Sequence, residues 1–266
     1  MTTERATYLT DIPSPEIQAA VRDATIVWGI GSVEQHGPHL PVSVDFDIAD
    51  SLSRKVAGRV ANGLMAPTQP FGARSLPQSG GGLAFPGTIF ITGDILINYL
   101  KQIIVGFADL GCRKLVIVGG HFENEPFVFE AIDMARHDKS LGGMSVTAFS
   151  WWSLVTQDWI DEHVGERFPG WHAEHAGLTE TSLMMFLRPS VVNDIRLDHP
   201  TPPQSGIYDH PLDLAATTTQ GVLSSTIGAT VEFGQRLFTH IVDQICLKLE
   251  SASPLGEGTS NQLKLM

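Results

Sequence analysis

Two short stretches of the chain carry metal-ligating residue types at the same spacing. In GSVEQHGPHLPVSVDFD, Glu34 and His36 stand two apart, and in GGHFEN, His121 and Glu123 repeat that spacing. On an extended backbone, residues i and i+2 leave the same face, so each pair projects a carboxylate and an imidazole together. Asp45 follows the first pair after a turn marked by Gly37, Pro38 and Pro41, and three donors are expected to converge from one loop. Imidazole and carboxylate without thiolate suit Zn2+, Mn2+ or related ions. Five such donors exceed what one catalytic ion takes from protein while keeping positions open for water. Two divalent ions per chain, sharing Asp45 as a bridging carboxylate, would use all five. One pair alone would read as hydrogen-bonding residues at a strand end, but two pairs, each behind an expected strand, reverse that reading. The chemistry expected is hydrolysis, with a hydroxide held between two ions attacking a carbonyl that one of them polarises.

A third cluster, FPGWHAEHAGLTETS, places Glu174 and His175 beside Trp171 and His172, in a loop leading into a helix. His175 is the expected proton donor to a leaving nitrogen, and Glu174 the group that orients the attacking water or His175 itself. With Glu123 they form the expected catalytic set. The alternative is that Glu174 and Glu180 charge the first turn of that helix while His175 is a capping or surface residue. Trp151-Trp152, and Trp171 with Phe168, are either core or interface filling or a lid that excludes water from a small, flat substrate. The run Ser79-Gly80-Gly81-Gly82 lacks the Lys-Ser/Thr of a P-loop, which leaves a pocket-lining loop or a subunit contact.

Such groups need rigid elements behind them. Ala24 to Ile30 is a short, β-branched apolar run that ends in the first motif, and Lys114 to Val118 is another that ends in the second. Both read as buried strands. Leu64 to Pro67 and Ser145 to Ser150 are further strand candidates. Helical spacing marks Asp47 to Val60, Asp94 to Leu110, Pro126 to His137, Thr179 to Leu187 and Gly228 to Leu249, the last with Thr226 or Ser225 as possible caps. Alternating strands and helices predict an α/β fold in which helices sandwich a central, mostly parallel sheet, with ligands bound beyond the carboxyl ends of its strands. No repeat or domain boundary is visible, so residues 1–266 are read as one domain. Asp198 to Pro211 is expected to be an ordered excursion, and the polar tail from Ser251 to be loosely held.

The chain has 266 residues and a formal net charge of -12, and a phosphate backbone or an anionic membrane would meet repulsion on average. Neither nucleic acid nor membrane is an expected partner. Cys112 and Cys246 lie far apart without CxxC spacing, which argues against a disulfide framework or a thiolate site and fits a reducing cytoplasm. No stretch reaches the roughly 18 apolar residues of a spanning helix, and the first residues lack a signal-peptide pattern.

In combination, GxxEQHGPHLP with the later Asp45, GGHFEN and GWHAEHAGLTETSLM resemble the creatininase family of metal-dependent amidohydrolases, from about Val27 to Leu187. The resemblance implies one ion on Glu34, Asp45 and His121, and a second on His36, Asp45 and Glu123, with zinc and manganese the usual metals and a homohexamer the usual assembly. It places His175 in proton transfer, Glu174 beside the metals and Trp152 over the substrate, with Ser79 and Trp171 in the substrate pocket. Two positions depart. Creatininase carries Tyr where this chain has Phe122 and Asp where it has His172, both near the substrate, which weakens the case for a guanidinium-like substrate. The expected substrate is therefore a small cyclic amide, creatinine or a related lactam or imide. A formylaminopyrimidine-nucleotide deformylase, with Arg74 and Arg113 as the nearest cations, and a cofactor-maturation peptidase are the alternatives within the family. A non-catalytic metal-binding protein is the alternative outside it.

Overall fold

The computed structural model describes residues 7–80, 82–199 and 220–251, with Gly206, Tyr208, His210, Pro211 and Thr218. Most of the Asp198 to Pro211 excursion, and the tail beyond Ser251, lie outside the described residues.

The strands are β1 (Thr7–Tyr8), β2 (Thr25–Ile30), β3 (Gly63–Gln69), β4 (Lys114–Gly119) and β5 (Ser145–Ser150). They form one sheet in the order β1-β3-β2-β4-β5, and every pairing is parallel. The helices are α1 (Ser14–Arg22), α2 (Val44–Ala57), the short α3 (Pro77–Gly80), α4 (Gly93–Asp109), α5 (Asn124–His137), α6 (Gln157–His163), α7 (Leu178–Leu187) and α8 (Val231–Ser251). The expected fold class is the observed one.

Period-two alternation sorts the strand residues onto two cores. Val27, Val116 and Val118 face a core shared with α2, α7 and α8. Ile26, Trp28, Ile30, Leu115 and Ile117 face the other, shared with α1, α4 and α5. With both faces covered, the central strands are apolar throughout, as parallel strands must be. Helix α2 meets the sheet through Val44, Ile48, Leu52 and Val56, spaced four apart and all fully buried. Each such side chain contributes about 1.5–3 kcal/mol of burial, an upper estimate because unfolded chains already bury some surface.

Two expectations are corrected. Helix α2 starts three residues before the expected Asp47, because Val44 belongs to that apolar stripe, so Asp45 sits in the first helical turn and not in the preceding loop. Helix α8 begins at Val231, and its cap is Thr230, whose Oγ1 accepts from Phe233 N at 3.1 Å. Thr226 instead accepts from Leu197 N at 2.7 Å, and Ser225 from Ile227 N at 3.3 Å.

From β2 the chain passes through α2 to β3 on one side, and then crosses to β4 on the other side of β2. The crevice between the carboxyl ends of β2 and β4 is thus a topological switch point, where α/β folds bind ligands.

Candidate active site

The strand-end loops deliver their side chains into that crevice. Glu34 and His36 come from the loop after β2, Asp45 from the start of α2, His121 from the turn after β4, and Glu123 from the residue preceding α5. All five are at least nine-tenths buried. Close backbone approach brings them together: a Cβ on Gly120 would fall 2.2 Å from the Asp45 carbonyl oxygen, and one on Gly31 2.5 Å from Phe46 Cα. Only glycine permits the strand ends to come this near to α2. Asn124 ties the loops further, its Oδ1 accepting from Ala73 N at 2.7 Å and its Nδ2 donating to Gly31 O at 3.0 Å.

Glu34, Asp45 and His121 gather donor atoms within 4.8 Å of one another, as do His36, Asp45 and Glu180, and also Glu34, His36 and His175. His121 Nδ1 lies 3.0 Å from Glu34 Oε2 and 3.1 Å from Asp45 Oδ2, and His36 Nε2 lies 3.3 Å from Asp45 Oδ1 and 3.5 Å from Glu180 Oε2. Glu123 is in none of these sets. It stands on the far side of the His121 ring, 3.4 Å from Nε2, and accepts from Leu76 N at 3.0 Å and from the Ser79 hydroxyl.

The imidazole tautomers test whether this arrangement suits a cation. His36 Nδ1 is 3.0 Å from the Glu34 carbonyl oxygen, and His121 Nε2 is 3.0 Å from that of Ala73. A backbone carbonyl can only accept, so the N–H of each ring points there and the lone-pair nitrogen faces carboxylates. Metal-binding histidines are held in this way. His36 Nε2 and Asp45 Oδ2 are buried without a hydrogen-bond partner, although His121 Nδ1 is near the latter, because the atoms converge on common points and do not align with one another. Without a cation the acids draw protons onto the rings. Burial opposes charge on His36, but Asp45, Glu180 and Glu34 outweigh it and lift its pKa to about 10. The same contest, won by Glu34, Glu123 and Asp45, raises that of His121. The donor set fits divalent ions.

Helix α7 supplies the opposite wall. Glu174 Oε2 accepts from Thr179 N at 3.1 Å and Thr179 Oγ1 at 2.7 Å, so it caps α7, and burial lifts its carboxyl to about 7 despite those bonds. Glu180 reaches back to Ala176 N at 2.7 Å, and burial lifts it to about 8. Glu180 thus bonds the backbone just before α7 and faces the cluster at once. His175 lies beside His36 with ring centroids 4.4 Å apart and the rings tilted by 42°, and its Nδ1 is 4.0 Å from Glu34 Oε2. Burial, aided by the neighbouring His36 charge, holds its pKa well below the usual histidine range.

A cavity of about 30 Å3 lies over the cluster. Its lining includes all of the expected substrate residues, Ser79, Phe122, Trp152, Trp171 and His172, together with Glu174 and His175. Phe122 and Trp152 stack at 5.8 Å, and Trp151 meets Trp152 and Trp171 edge-on at 5.5 and 5.3 Å. Trp151 is core filling, at 1% exposure, while Trp152 and Trp171 are only partly buried.

The family model described as "Creatininase: Creatinine amidohydrolase" matches residues 10–249. The chain belongs to the creatininase family. It is 35% identical over 245 residues to creatinine amidohydrolase of Pseudomonas putida, covering 90% of this chain and 94% of that protein. It is 29% identical over 256 residues to the mycofactocin precursor peptide peptidase of Mycobacterium tuberculosis strain CDC 1551 / Oshkosh, covering 88% of each. Among solved structures, a manganese form of creatininase superposes with a TM-score of 0.86 at 33% identity, covering 94% of this chain and all of that one. A creatininase mutant of zinc–zinc type gives 0.86 at 32%, covering 93% and 98%.

Within this creatininase-family site, two residues escaped the sequence reading. Glu180 was weighed only as a helix charge, although the i, i+4 spacing from Ala176 to Glu180 could have hinted that it turns inward. Gln35 lies inside the first motif, yet nothing in its spacing announced a role. Its Oε1 accepts from Gly37 N at 3.0 Å, which leaves Nε2 to donate to Gly221 O and to His175 Nε2, each at 3.0 Å.

Proposed function

We propose that the chain is a two-metal amidohydrolase that opens the C–N bond of a small cyclic amide, creatinine or a related lactam or imide, and that residues 1–266 act as one domain. The observation that carries this reading is the pair of buried donor sets sharing Asp45, beneath a cavity walled by aromatic side chains. Glu34, Asp45 and His121 would hold one ion. His36 and Asp45 would hold the other, with Glu180 as the third donor that the geometry offers and Glu123 as the one that the resemblance implies. Zinc and manganese both suit these donors, and creatininase structures are described as zinc–zinc and manganese forms. Ions there would polarise the substrate carbonyl and lower the pKa of a water to about 7.

The chain's own residues do the rest. Glu174, with a carboxyl near 7, can take a proton from the attacking water and release it at neutral pH. His175 accepts from Gln35 at Nε2, so its neutral ring carries its proton on Nδ1 and can donate a hydrogen bond that orients the leaving nitrogen, which takes up the proton that Glu174 removed from the water. Trp152, Trp171 and Phe122 cover a flat ring and exclude water, and Ser79 holds Glu123 in place. Among the described residues no helix is long and apolar enough to cross a membrane. Assembly into a homo-oligomer, a hexamer by family resemblance, fits Leu83, Ile89 and Ile95, each more than half exposed.

The deciding experiment is steady-state hydrolysis of creatinine and hydantoin by protein whose zinc and manganese have been counted. Turnover of either with two ions per chain supports the reading, and metal-free protein of full activity would sink it. A second reading, a peptidase that matures a cofactor precursor, is favoured by the match to the mycofactocin precursor peptide peptidase. Cleavage of a linear peptide with neither cyclic amide turned over would select it.

A further inference from the structure

The cavity over the cluster is small, about 30 Å3, and leaves no space for a larger arm beside the reacting end of a substrate. A second cavity adjoins it, about 680 Å3 in volume and sharing Ser79, Phe122, Glu123 and His172 with the first. That volume falls in the range that encloses a molecule much larger than a five-membered ring. Leu76, Phe122, Pro126 and Phe127 make its surface mostly apolar. Arg74 also lines it. In a chain of net charge -12 this guanidinium is a local exception, and among the described residues it pairs with no carboxylate and lies 5.9 Å from the Phe90 ring centroid. Glu123 is the acid in the lining, and its Oε1 is already engaged by Leu76 N and the Ser79 hydroxyl.

We propose that this second cavity is a substrate subsite, and that the preferred substrate is a cyclic amide bearing an aromatic arm that ends in a carboxylate beside Arg74. The inference rests on the amidohydrolase reading and names its substrate class. The reacting ring sits at the cluster, where water adds its oxygen to the ring carbonyl carbon, the C–N bond breaks and the nitrogen takes up the proton. Phe122 and His172 border both cavities, at the junction of ring and arm. The arm buries its apolar body against Phe127 and Pro126, and its carboxylate meets a planar donor suited to it.

Three probes test this: hydantoin, 5-benzylhydantoin and 5-(4-carboxybenzyl)hydantoin. The benzyl arm is expected to raise kcat/KM about tenfold over hydantoin, and the carboxylate by a further factor of roughly three to five, because Arg74 is exposed and screened. Arg74→Ala should erase the carboxylate increment and keep the benzyl one, and Phe127→Trp, which fills the cavity, should reduce the ratio of benzyl to unsubstituted turnover. Equal or better turnover of hydantoin itself, or a carboxylate increment that survives Arg74→Ala, overturns the proposal. If no probe is hydrolysed, calorimetric binding of 5-(4-carboxybenzyl)hydantoin separates the two claims. Binding that weakens in both variants upholds the subsite while the hydrolase reading fails, and absence of binding overturns the subsite as well. An altered oligomeric state of Phe127→Trp by light scattering, with the arm preference intact, would place a second copy of the chain in the cavity and also overturn it.

Discussion

The side-chain amide of Gln35 stands 3.0 Å from Nε2 of His175, and it can only donate there, because its oxygen is occupied by the backbone N–H of Gly37. One hydrogen bond therefore sets which nitrogen of His175 carries the proton. Gly221, at φ +77°, supplies the carbonyl that takes the other amide hydrogen, and a Cβ at that position would strike Gln35 Oε1 at 2.1 Å.

Gln35→Glu replaces this donor by an acceptor and should move the His175 proton to Nε2. The expected result is a loss in kcat of about a hundredfold or more, with KM and metal content nearly unchanged. Nitrogen-15 spectra of the His175 ring give the independent readout, and an unaltered tautomer in the variant would count against the assignment.

Asp45 belongs to both of the sets assigned to the ions, whereas Glu34 joins only the one with His121, its other set being that with His36 and His175. Asp45→Asn should deplete both ions and Glu34→Gln chiefly one, each with activity reduced at least a hundredfold. Elemental analysis of gel-filtered protein checks this, and two retained ions in Asp45→Asn would show that it does not bridge.

Burial lifts the Glu174 carboxyl from 4.5 to about 7. A group that holds its proton more tightly when folded stabilises the protein at low pH. Its contribution is whole below pH 4.5 and is lost as pH rises through about 7, up to about 3 kcal/mol in all. Urea denaturation of metal-free protein should therefore show the wild type losing stability relative to Glu174→Gln across that window. Parallel pH profiles would mean that Glu174 stays ionised throughout.

Gly120 lies against the first turn of α2, with no room for a methyl group beside the Asp45 carbonyl. Gly120→Ala should cost about 1–3 kcal/mol of stability, and should weaken metal binding because the helix start must shift away from His121. Thermal melts with and without added Zn2+ measure both effects. Wild-type stability together with wild-type metal affinity would show that the contact is easily relieved.

The alternation of apolar runs and helical stripes, and the emergence of both motifs at strand ends, were legible because they are local, whereas the extended backbone expected for His121 and Glu123 is replaced by a turn with Glu123 in the helical region. Backbone periodicity decides which side chains share a face, and a strand end decides where they emerge. That these groups come together, that Asp45 arrives from a helix, and that Glu180 faces His36 from α7, more than 140 residues away in sequence, were settled by packing. The roles of Gln35 and the extent of the Arg74 cavity depend likewise on which distant backbone lies opposite. Residue type and spacing state what a side chain can do. Only the folded contacts, through close approach at Gly31 and Gly120 and exclusion of water from the acids, decide what it faces and how its proton is held.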